Sequence, residues 1–316
     1  MRNKRIWVAG HQGLVGQALV RALPATGASV LTVPRFALDM REQQAVRHWL
    51  RQNNPDVAII AAATVGGIGD NQARPADFIY DNMMIAANIM HESAHIGLEK
   101  LLFLGSSCIY PRDAMQPIGP ESLLSGPLEP SNEAYAVAKI AGIKMAQSYA
   151  RQYGCRFISA MPCNLYGPGD RFDMKRSHVI PALMMKMDVA RRQRQSALEV
   201  WGTGTPLREF LHVDDLAAAL ILLLQTHEGT EPVNVGSGQE ISIADLATLI
   251  AEITGYEGDI RFSPAYPDGT PRKILDSAVM RGLGWRPEID LRRGLMQTYD
   301  WFLQNKASAA EDHYVA

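Results

Sequence analysis

The stretch Arg5-Ile-Trp-Val-Ala-Gly-His-Gln-Gly-Leu-Val-Gly16 joins a short apolar strand to a turn with three glycines. A helical segment at residues 17–23 follows the turn directly. Glycines in such a turn let the backbone approach a pyrophosphate and aim the positive end of the helix dipole at its charge. A tight strand-to-helix connection is the alternative, but the position after the first strand favours a dinucleotide site. The candidate residues are Gly10, His11, Gln12, Gly13, Leu14, Val15 and Gly16.

Strands and helices alternate through the first half of the chain. Further apolar strands are predicted at residues 30–33, 56–63, 100–104 and 157–161. Segments with helical spacing lie between them, at residues 39–52, 76–96 and 134–152. Because these strands are apolar on both faces, we expect a parallel sheet covered by helices on each side. The predicted fold class is α/β, a doubly wound parallel (Rossmann) sheet with a second, smaller α/β substrate domain.

The character of the sequence changes after the fifth predicted strand. Glycines and prolines cluster in Tyr166-Gly-Pro-Gly-Asp170, and irregular segments continue to residue 209. Residues 232–236 again have a strand pattern, and Ser242-Ile-Ala-Asp245 is typical of a capped helix start. We therefore predict a dinucleotide-binding domain of residues 1–165 plus about 215–256. A substrate domain is predicted for about 166–214 plus 257–316.

Composition argues against several classes of protein. The 316 residues include 31 Lys and Arg against 33 Asp and Glu, a net charge of -2, which does not favour a nucleic-acid partner. The longest apolar run, residues 216–224, is far shorter than the roughly 20 residues of a membrane-spanning helix. Cys108, Cys155 and Cys163 have neither metal-ligand spacing nor an even count. We therefore expect free thiols, no metal and a cytoplasmic location.

The end of the second strand indicates which dinucleotide binds. An NAD site usually has an acidic residue there, whereas an arginine favours the 2′-phosphate of NADP. This strand ends in Val33-Pro-Arg35, so Arg35 predicts NADP (NADPH) as the cofactor, with a solvated loop position as the alternative. Asp39 opens a predicted helix with Glu42 three residues later, so we interpret it as an N-cap that could also touch adenine.

A tyrosine and a lysine lie four residues apart in Tyr135-Ala-Val-Ala-Lys139, on one face of a predicted helix. A nearby cation is expected to favour the phenolate of Tyr135. Ser106 follows the strand at residues 100–104 through Gly105, which places its hydroxyl at the carboxyl edge of the sheet, where ligands of α/β proteins bind. Serine, tyrosine and lysine beside a dinucleotide form a carbonyl-reducing site.

With these motifs, the chain resembles the extended short-chain dehydrogenase/reductase family over nearly its whole length. Within that family it is most similar to enzymes that epimerise and then reduce GDP-4-keto-6-deoxy-D-mannose with NADPH. The motifs that carry the resemblance are Ala9-Gly-His-Gln-Gly-Leu-Val-Gly16, Ala62-Ala-Thr-Val-Gly-Gly-Ile68, Leu102-Phe-Leu-Gly-Ser-Ser-Cys-Ile-Tyr-Pro111, Tyr135-Ala-Val-Ala-Lys139, Ser177-His-Val-Ile-Pro-Ala-Leu183, Trp201-Gly-Thr-Gly-Thr-Pro-Leu-Arg-Glu-Phe-Leu-His-Val-Asp-Asp215 and Pro267-Asp-Gly-Thr-Pro-Arg-Lys273. Cys163, within Pro162-Cys-Asn-Leu165, is a small departure that leaves the catalytic positions intact.

The resemblance implies the product GDP-L-fucose and a homodimer that pairs the long helices around Ala86 and Ile143. It also implies that Cys108 and His178 are the acid/base pair that inverts C3 and C5, the carbons beside the C4 ketone. From the residues alone, Cys108 is interpreted as a core residue and His178 as a packed or surface histidine.

The resemblance adds binding residues in both domains. Cofactor contacts are expected from Leu104, Gly105, Ser106, Lys139, Pro162, Asn164, Leu165 and His178. Candidates for the GDP-sugar are Lys186, Arg208 and Arg272 at the diphosphate, Trp201 in stacking or packing, and Asp268 at a hydroxyl. For each of the latter, a solvated surface position is the alternative.

Three other functions remain open at this stage. A sister enzyme makes GDP-L-colitose from the corresponding 3-deoxy substrate, and pocket size at C3 would separate the two. An NAD-dependent nucleotide-sugar epimerase that recycles its cofactor would show no net NADPH oxidation. A non-catalytic NADP-sensing protein often loses the tyrosine or the lysine, whereas Tyr135 and Lys139 are both present.

Overall fold

The computed structural model describes residues 1–173, 177–266 and 268–311. Pro267, the first residue of one quoted motif, lies outside the described residues, as do residues 174–176 and 312–316. None of the described helices is long and apolar enough to cross a membrane.

The elements are numbered in chain order. The strands are β1 (Arg5–Ala9), β2 (Ser29–Leu31), β3 (Val57–Ile60), β4 (Lys100–Leu104), β5 (Phe157–Pro162), β6 (Asn164–Tyr166), β7 (Ala197–Trp201), β8 (Leu207–His212), β9 (Val233–Val235), β10 (Glu240–Ser242), β11 (Asp259–Ser263) and β12 (Arg272–Lys273). The helices are α1 (Leu14–Ala22), α2 (Gln43–Asn53), α3 (Ile68–Ala73), α4 (Pro75–His95), α5 (Glu133–Tyr153), α6 (Val179–Arg192), α7 (Val213–Thr226), α8 (Ile243–Thr254), α9 (Ala278–Gly282) and α10 (Leu291–Glu311).

A six-stranded parallel sheet in the order β2-β1-β3-β4-β5-β9 forms the centre of the fold. Helices α4 and α5 pack together with α2, while α1 packs against α7. Residues Ile6, Trp7, Val8 and Ala9 of β1 are all fully buried, as expected for a strand covered on both faces. The predicted doubly wound sheet is confirmed. Strand order reverses between β1 and β3, and the carboxyl ends at such a point form a ligand crevice.

Close packing of α5 on the sheet positions the residues at the start of that helix. A Cβ on Gly142 would lie 2.4 Å from Cζ of Phe103, so only glycine lets the helix approach β4 this closely. Helix α5 therefore begins near the carboxyl end of β4. Tyr135 and Lys139, in its first two turns, lie at the same edge of the sheet as Ser106.

A second group of strands and helices surrounds β8. This strand pairs with β6, β10 and β12, and β7 pairs with β11. Helix α8 packs against α6 and α10 in a second hydrophobic cluster, although residues 215–256 were predicted to join the first domain. Conversely, Leu275, Met280 and Trp285 pack in the first cluster, although residues 257–316 were predicted to join the second. The domain boundaries are corrected at these two places. The chain crosses between the two hydrophobic clusters more often than the positions of its glycines and prolines indicate.

Candidate functional site

The glycine turn between β1 and α1 has the geometry of an anion site. Gly10 has φ +88°, in the left-handed region that favours glycine. A Cβ on Gly16 would lie 2.1 Å from the Gly10 carbonyl oxygen, so the helix can start this close to the strand only with glycine there. Gly13 is the N-cap of α1 and offers no side chain to cover the first N–H groups. Gln17 Nε2 donates to the Gln12 carbonyl oxygen at 2.7 Å and holds the turn. The open helix end fits a dinucleotide pyrophosphate.

The residues after β2 differ from the prediction in one respect. Helix α2 begins at Gln43 with Glu42 as its N-cap, so the interpretation of Asp39 as an N-cap was wrong. Asp39 instead accepts hydrogen bonds from the Arg41 backbone N–H at 3.0 Å and from its guanidinium at 2.7 Å. The side-chain bond to Arg41 is the main reason that the pKa of Asp39 is lowered to about 2. Arg35 is exposed, where a ligand phosphate can reach it.

Ser106, Tyr135 and Lys139 converge at the carboxyl end of β4. Strand β4 ends at Leu104, and Ser106 follows after Gly105. Ser106 and Tyr135 lie close enough for the Ser106 hydroxyl to affect the pKa of the Tyr135 phenol. Lys139 Nζ donates to the Leu104 carbonyl oxygen at 2.8 Å and lies 5.7 Å from the centre of the Tyr135 ring. The structure thus brings together the three residues of the carbonyl-reducing pattern.

The protonation of this group differs from the expectation that Lys139 favours the phenolate. Burial raises the pKa of Tyr135, and negative charge on Cys108 acts in the same direction, while the Ser106 hydroxyl opposes both. Burial also lowers the pKa of Lys139 to about 7, and its ammonium is directed at the Leu104 carbonyl. Tyr135 therefore holds its proton at neutral pH, which suits a group that donates a proton to a ketone oxygen.

Cys108 lies in the 3-10 turn after β4 and is half-buried. Its Sγ accepts a hydrogen bond from Asn132 Nδ2 at 3.3 Å, and Lys273 Nζ lies 4.0 Å away. His178 is the N-cap residue of α6 and is exposed to solvent. Partial desolvation by the surrounding protein nevertheless lowers the pKa of His178 from its ordinary value.

Sequence reasoning missed both side chains that contact the Cys108 thiol. Lys273 closes a quoted motif, and its β12 position pairs with Arg208 of β8, a register that the sequence does not reveal. Asn132 immediately precedes α5, where an asparagine is normally interpreted as a helix cap. Only the fold shows that both residues reach the thiol.

Several candidate nucleotide-sugar residues lie in one region of the second cluster. Trp201 and Tyr266 stack with ring centres 4.3 Å apart, and Lys186 Nζ lies 5.1 Å from the Trp201 ring centre. The Asp268 carboxylate accepts hydrogen bonds from the Thr203 backbone N–H at 2.7 Å and from its hydroxyl at 2.8 Å. Trp201 is 58% exposed, so much of its surface can still contact a ligand.

The two arginine candidates have different surroundings. Arg208 Nη2 donates to the Asp268 carbonyl oxygen at 3.3 Å, which places Arg208 with the preceding group. Arg272 Nε instead donates to both Glu240 carboxylate oxygens, at 2.9 and 3.0 Å. Arg272 is therefore ion-paired with Glu240 on the strand next to Arg208, and its role at the diphosphate stays a prediction.

The remaining cofactor candidates lie just beyond the central sheet. Pro162 ends β5, and Asn164 and Leu165 belong to β6. Asn164 Nδ2 donates to the Glu209 carbonyl oxygen at 3.0 Å, so this side chain ties β6 to β8. Within residues 1–173, 177–266 and 268–311, no group of three His, Cys, Asp or Glu side chains could hold a metal ion.

Comparison with known proteins gives the family. The profile of the NAD dependent epimerase/dehydratase family matches residues 6–236. The chain belongs to this family. The "GDP-L-fucose synthase" of Sinorhizobium fredii is 51% identical over 305 residues, which cover 96% of this chain and 97% of the relative. "GDP-L-fucose synthase 1" of Arabidopsis thaliana is 52% identical over 305 residues, covering 96% and 94%. The crystal structure of a GDP-L-fucose synthetase from Naegleria fowleri bound to NADP has a TM-score of 0.90 and 28% identity, covering 98% of this chain and 97% of that one.

Membership in the epimerase/dehydratase family confirms the resemblance that the motifs predicted. The part of the chain that matches the family profile includes the glycine turn and Ser106, Tyr135, Lys139 and His178. It ends before Asp268 and the rest of the β11–β12 region. The roles of individual residues stay predictions, and the arrangement described above supports them to different degrees.

Proposed function

We propose that this protein converts GDP-4-keto-6-deoxy-D-mannose to GDP-L-fucose, by epimerisation at C3 and C5 and reduction at C4 with NADPH. The observation that carries the proposal is the position of Cys108, whose backbone N–H donates to the Ser106 hydroxyl oxygen at 3.3 Å and whose sulfur accepts a hydrogen bond from Asn132. A simple dehydrogenase needs only the serine, tyrosine and lysine, whereas inversion of a carbon needs a further acid/base group. The names of the relatives agree with this proposal.

Epimerisation comes before reduction, because only the ketone at C4 makes the protons on C3 and C5 acidic. The hydroxyls of Tyr135 and Ser106 hold the C4 oxygen and stabilise negative charge there as a proton leaves. Cys108 and His178 divide the proton transfers, one removing a proton from one face and the other delivering a proton to the opposite face. One oxyanion site thereby serves both inversions.

Reduction closes the sequence. When bound, NADPH supplies the hydride for C4. Tyr135 donates its proton to the C4 oxygen, and its raised pKa keeps that proton available throughout the neutral range. Ser106 orients the carbonyl, while Lys139 lies next to the Tyr135 ring at the end of β4. The resulting alcohol no longer acidifies C3 and C5, so both inverted centres are fixed.

NADP(H) is the proposed cofactor. The open N-terminus of α1 would hold the pyrophosphate, and exposed Arg35 would pair with the 2′-phosphate. Asp39 already pairs with Arg41, which offsets the negative charge that would otherwise repel that phosphate. The NADP-bound GDP-L-fucose synthetase from Naegleria fowleri, a structural relative, supports the same choice.

A homodimer in the cytoplasm completes the proposal. Ala86 and Ile143 are themselves buried within the protomer, so the contact would use the outer faces of α4 and α5. Those faces expose large apolar side chains, namely Tyr80 (58%), Met83 (42%) and Val137 (38%). Three free cysteines are consistent with a reducing compartment. Sedimentation of the purified protein measures its oligomeric state. Wild type should sediment as a dimer, and Met83→Glu should disrupt that dimer.

Product analysis tests the activity. Purified protein is incubated with NADPH and either GDP-4-keto-6-deoxy-D-mannose or its 3-deoxy analogue, and the products are separated and identified by NMR. We expect GDP-L-fucose with one NADPH consumed per product. Preference for the 3-deoxy analogue would instead indicate a GDP-L-colitose synthase. Inversion without net NADPH oxidation would indicate a recycling epimerase, and NADPH binding without turnover a sensor.

A further inference from the structure

Among the described residues, the side chain of Asn132 does not cap the helix that follows it. It directly precedes α5, the helix that carries Tyr135 and Lys139. Asparagine is favoured at such a position because its side chain accepts hydrogen bonds from the first N–H groups of the helix. Within the described part of the chain, the Asn132 side chain makes no capping bond, and its Nδ2 donates to Cys108 Sγ at 3.3 Å. The side chain therefore serves the thiol rather than the helix.

The other end of the same carboxamide is an unused acceptor. Asn132 Oδ1 is buried and has no hydrogen-bond partner among the described residues. Asn71 Oδ1, from α3, is in the same state, while its Nδ2 donates to the carbonyls of Gly66 and Gly67. Both asparagines line a cavity of about 270 Å³ between α3 and the start of α5. Buried acceptors almost always have a donor, so Asn132 Oδ1 is an acceptor that a ligand hydroxyl could satisfy once the side chain turns toward it.

We propose that Asn132 determines specificity at C3 of the sugar. Its Nδ2 orients the Cys108 thiol, and its Oδ1 accepts a hydrogen bond from the C3 hydroxyl. This inference rests on the proposed function. Cys108 would act on the two carbons beside the C4 ketone, and of these only C3 carries a hydroxyl group. The Asn132 carboxamide is hydrogen-bonded to the Cys108 sulfur, so the C3 hydroxyl would be the nearest hydrogen-bond donor of the sugar.

The consequence is discrimination against a substrate that lacks the C3 hydroxyl. A site that bonds a hydroxyl rejects the deoxy analogue because its buried acceptor is left unpaired. The usual cost of an unpaired buried group corresponds to roughly 5–150-fold in kcat/KM. Asn132 would thereby favour the 6-deoxy substrate over the 3,6-dideoxy one.

Two substitutions separate the two ends of the carboxamide. Asn132→Ala removes the donor and the acceptor, so the kcat/KM ratio for GDP-4-keto-6-deoxy-D-mannose over its 3-deoxy analogue should fall roughly 5–150-fold. Asn132→Asp keeps an acceptor of the same shape and loses the donor, so most of that ratio should remain. Asn53→Ala is the matched control, because Asn53 Nδ2 donates to the Trp49 carbonyl oxygen at the end of α2.

Alkylation of the thiol provides a measurement without substrate or cofactor. Iodoacetamide labelling of Cys108 at neutral pH is followed by peptide mass spectrometry. Asn132 Nδ2 donates to the Cys108 sulfur and fixes its position, so the labelling rate in both Asn132 variants should differ from that of wild type by roughly 3–10-fold. Asn53→Ala should label at the wild-type rate. Because Asn132 caps no described N–H, its variants should also keep the wild-type unfolding midpoint.

Each arm can overturn part of the inference. If wild type turns over both substrates and Asn132→Ala leaves their ratio unchanged, the assignment to the C3 hydroxyl is wrong. Unchanged labelling rates in both Asn132 variants would refute the orientation of Cys108. If wild type turns over neither substrate, the proposed function fails and the C3 assignment fails with it. The alkylation result then still decides whether Asn132 acts on the thiol.

Discussion

Lys139 allows a test of the site through stability alone. The residue is 3% exposed, its Nζ donates to the Leu104 carbonyl oxygen at 2.8 Å, and it lies 4.9 Å from the centre of the Phe103 ring. Burial lowers its pKa from 10.5 to about 7. In the cofactor-free protein, Lys139 is therefore mostly neutral above pH 7, whereas in the unfolded chain it stays charged up to its ordinary pKa.

The sign and size of the effect follow from proton linkage. Between pH 7 and 9 the unfolded chain binds more protons at Lys139 than the folded protein does, so the free energy of unfolding rises with pH. One pKa unit corresponds to about 1.4 kcal/mol, so this single lysine contributes a rise of about 2 kcal/mol over that window. Above pH 10.5 the residue is neutral in both states and the contribution to the slope ends.

Urea unfolding of the cofactor-free protein at pH 7, 8 and 9 measures this contribution. Lys139→Met keeps a long apolar stem but cannot be charged, so its stability relative to wild type should decline by about 2 kcal/mol from pH 7 to 9. Lys144→Met, at an exposed lysine of the same helix, should follow the wild-type pH dependence. Parallel curves for wild type and Lys139→Met would show that Lys139 is charged in the folded protein, and the reasoning would be refuted.

Four further substitutions test the proposed roles in cofactor binding and catalysis. Tyr135→Phe keeps the ring but removes the proton donor, so the rate of ketone reduction should fall roughly 10²–10⁴-fold. NADPH binding, measured by fluorescence titration, should be retained. Near-normal NADPH oxidation would contradict this role. Arg35→Ala should lower the kcat/KM ratio of NADPH over NADH roughly 10–150-fold, and an unchanged ratio would assign the 2′-phosphate to another basic residue. Cys108→Ala should abolish deuterium incorporation at C3 and C5 in D₂O yet leave the ketone reducible. Cys155→Ala, the control, should incorporate deuterium at both carbons as wild type does. His178→Gln should slow the exchange or leave inversion incomplete, and wild-type labelling by mass spectrometry would remove either residue from the mechanism.

The central sheet could be predicted because its signals are local. Residues 5–9 are apolar on both faces, and the glycine turn follows immediately, so strand, turn and helix can be assigned without tertiary information. Ser106 was placed at the sheet edge for the same reason, since it comes just after a buried strand. The position of Tyr135 next to it followed from the order of elements in a doubly wound fold.

The errors arose where a side chain had two possible partners. Asp39 could cap a helix, but Arg41, two residues later, offers a backbone N–H and a guanidinium at once. Asn132 was overlooked, because only the fold brings the Cys108 sulfur within reach of its Nδ2. The spacing of Tyr135 and Lys139 predicts a neighbouring cation, yet burial affects both groups more than their mutual interaction does.

The contacts around Cys108 explain how one cleft can support two kinds of chemistry. The Ser106 hydroxyl lies near Tyr135 and accepts from the Cys108 backbone N–H at 3.3 Å, so it is next to both the proposed proton donor for reduction and the proposed acid/base residue for inversion. Asn132 adds a second link, from the start of α5 to the Cys108 sulfur. His178 instead begins α6, which packs in the second cluster. The residues proposed to hold the C4 oxygen and the thiol are therefore linked to one another through β4 and α5, while the proposed opposite-face partner belongs to a helix of the second cluster. In the proposed mechanism, the sugar would keep its ketone in a single oxyanion site while the two acid/base groups act from separate sides.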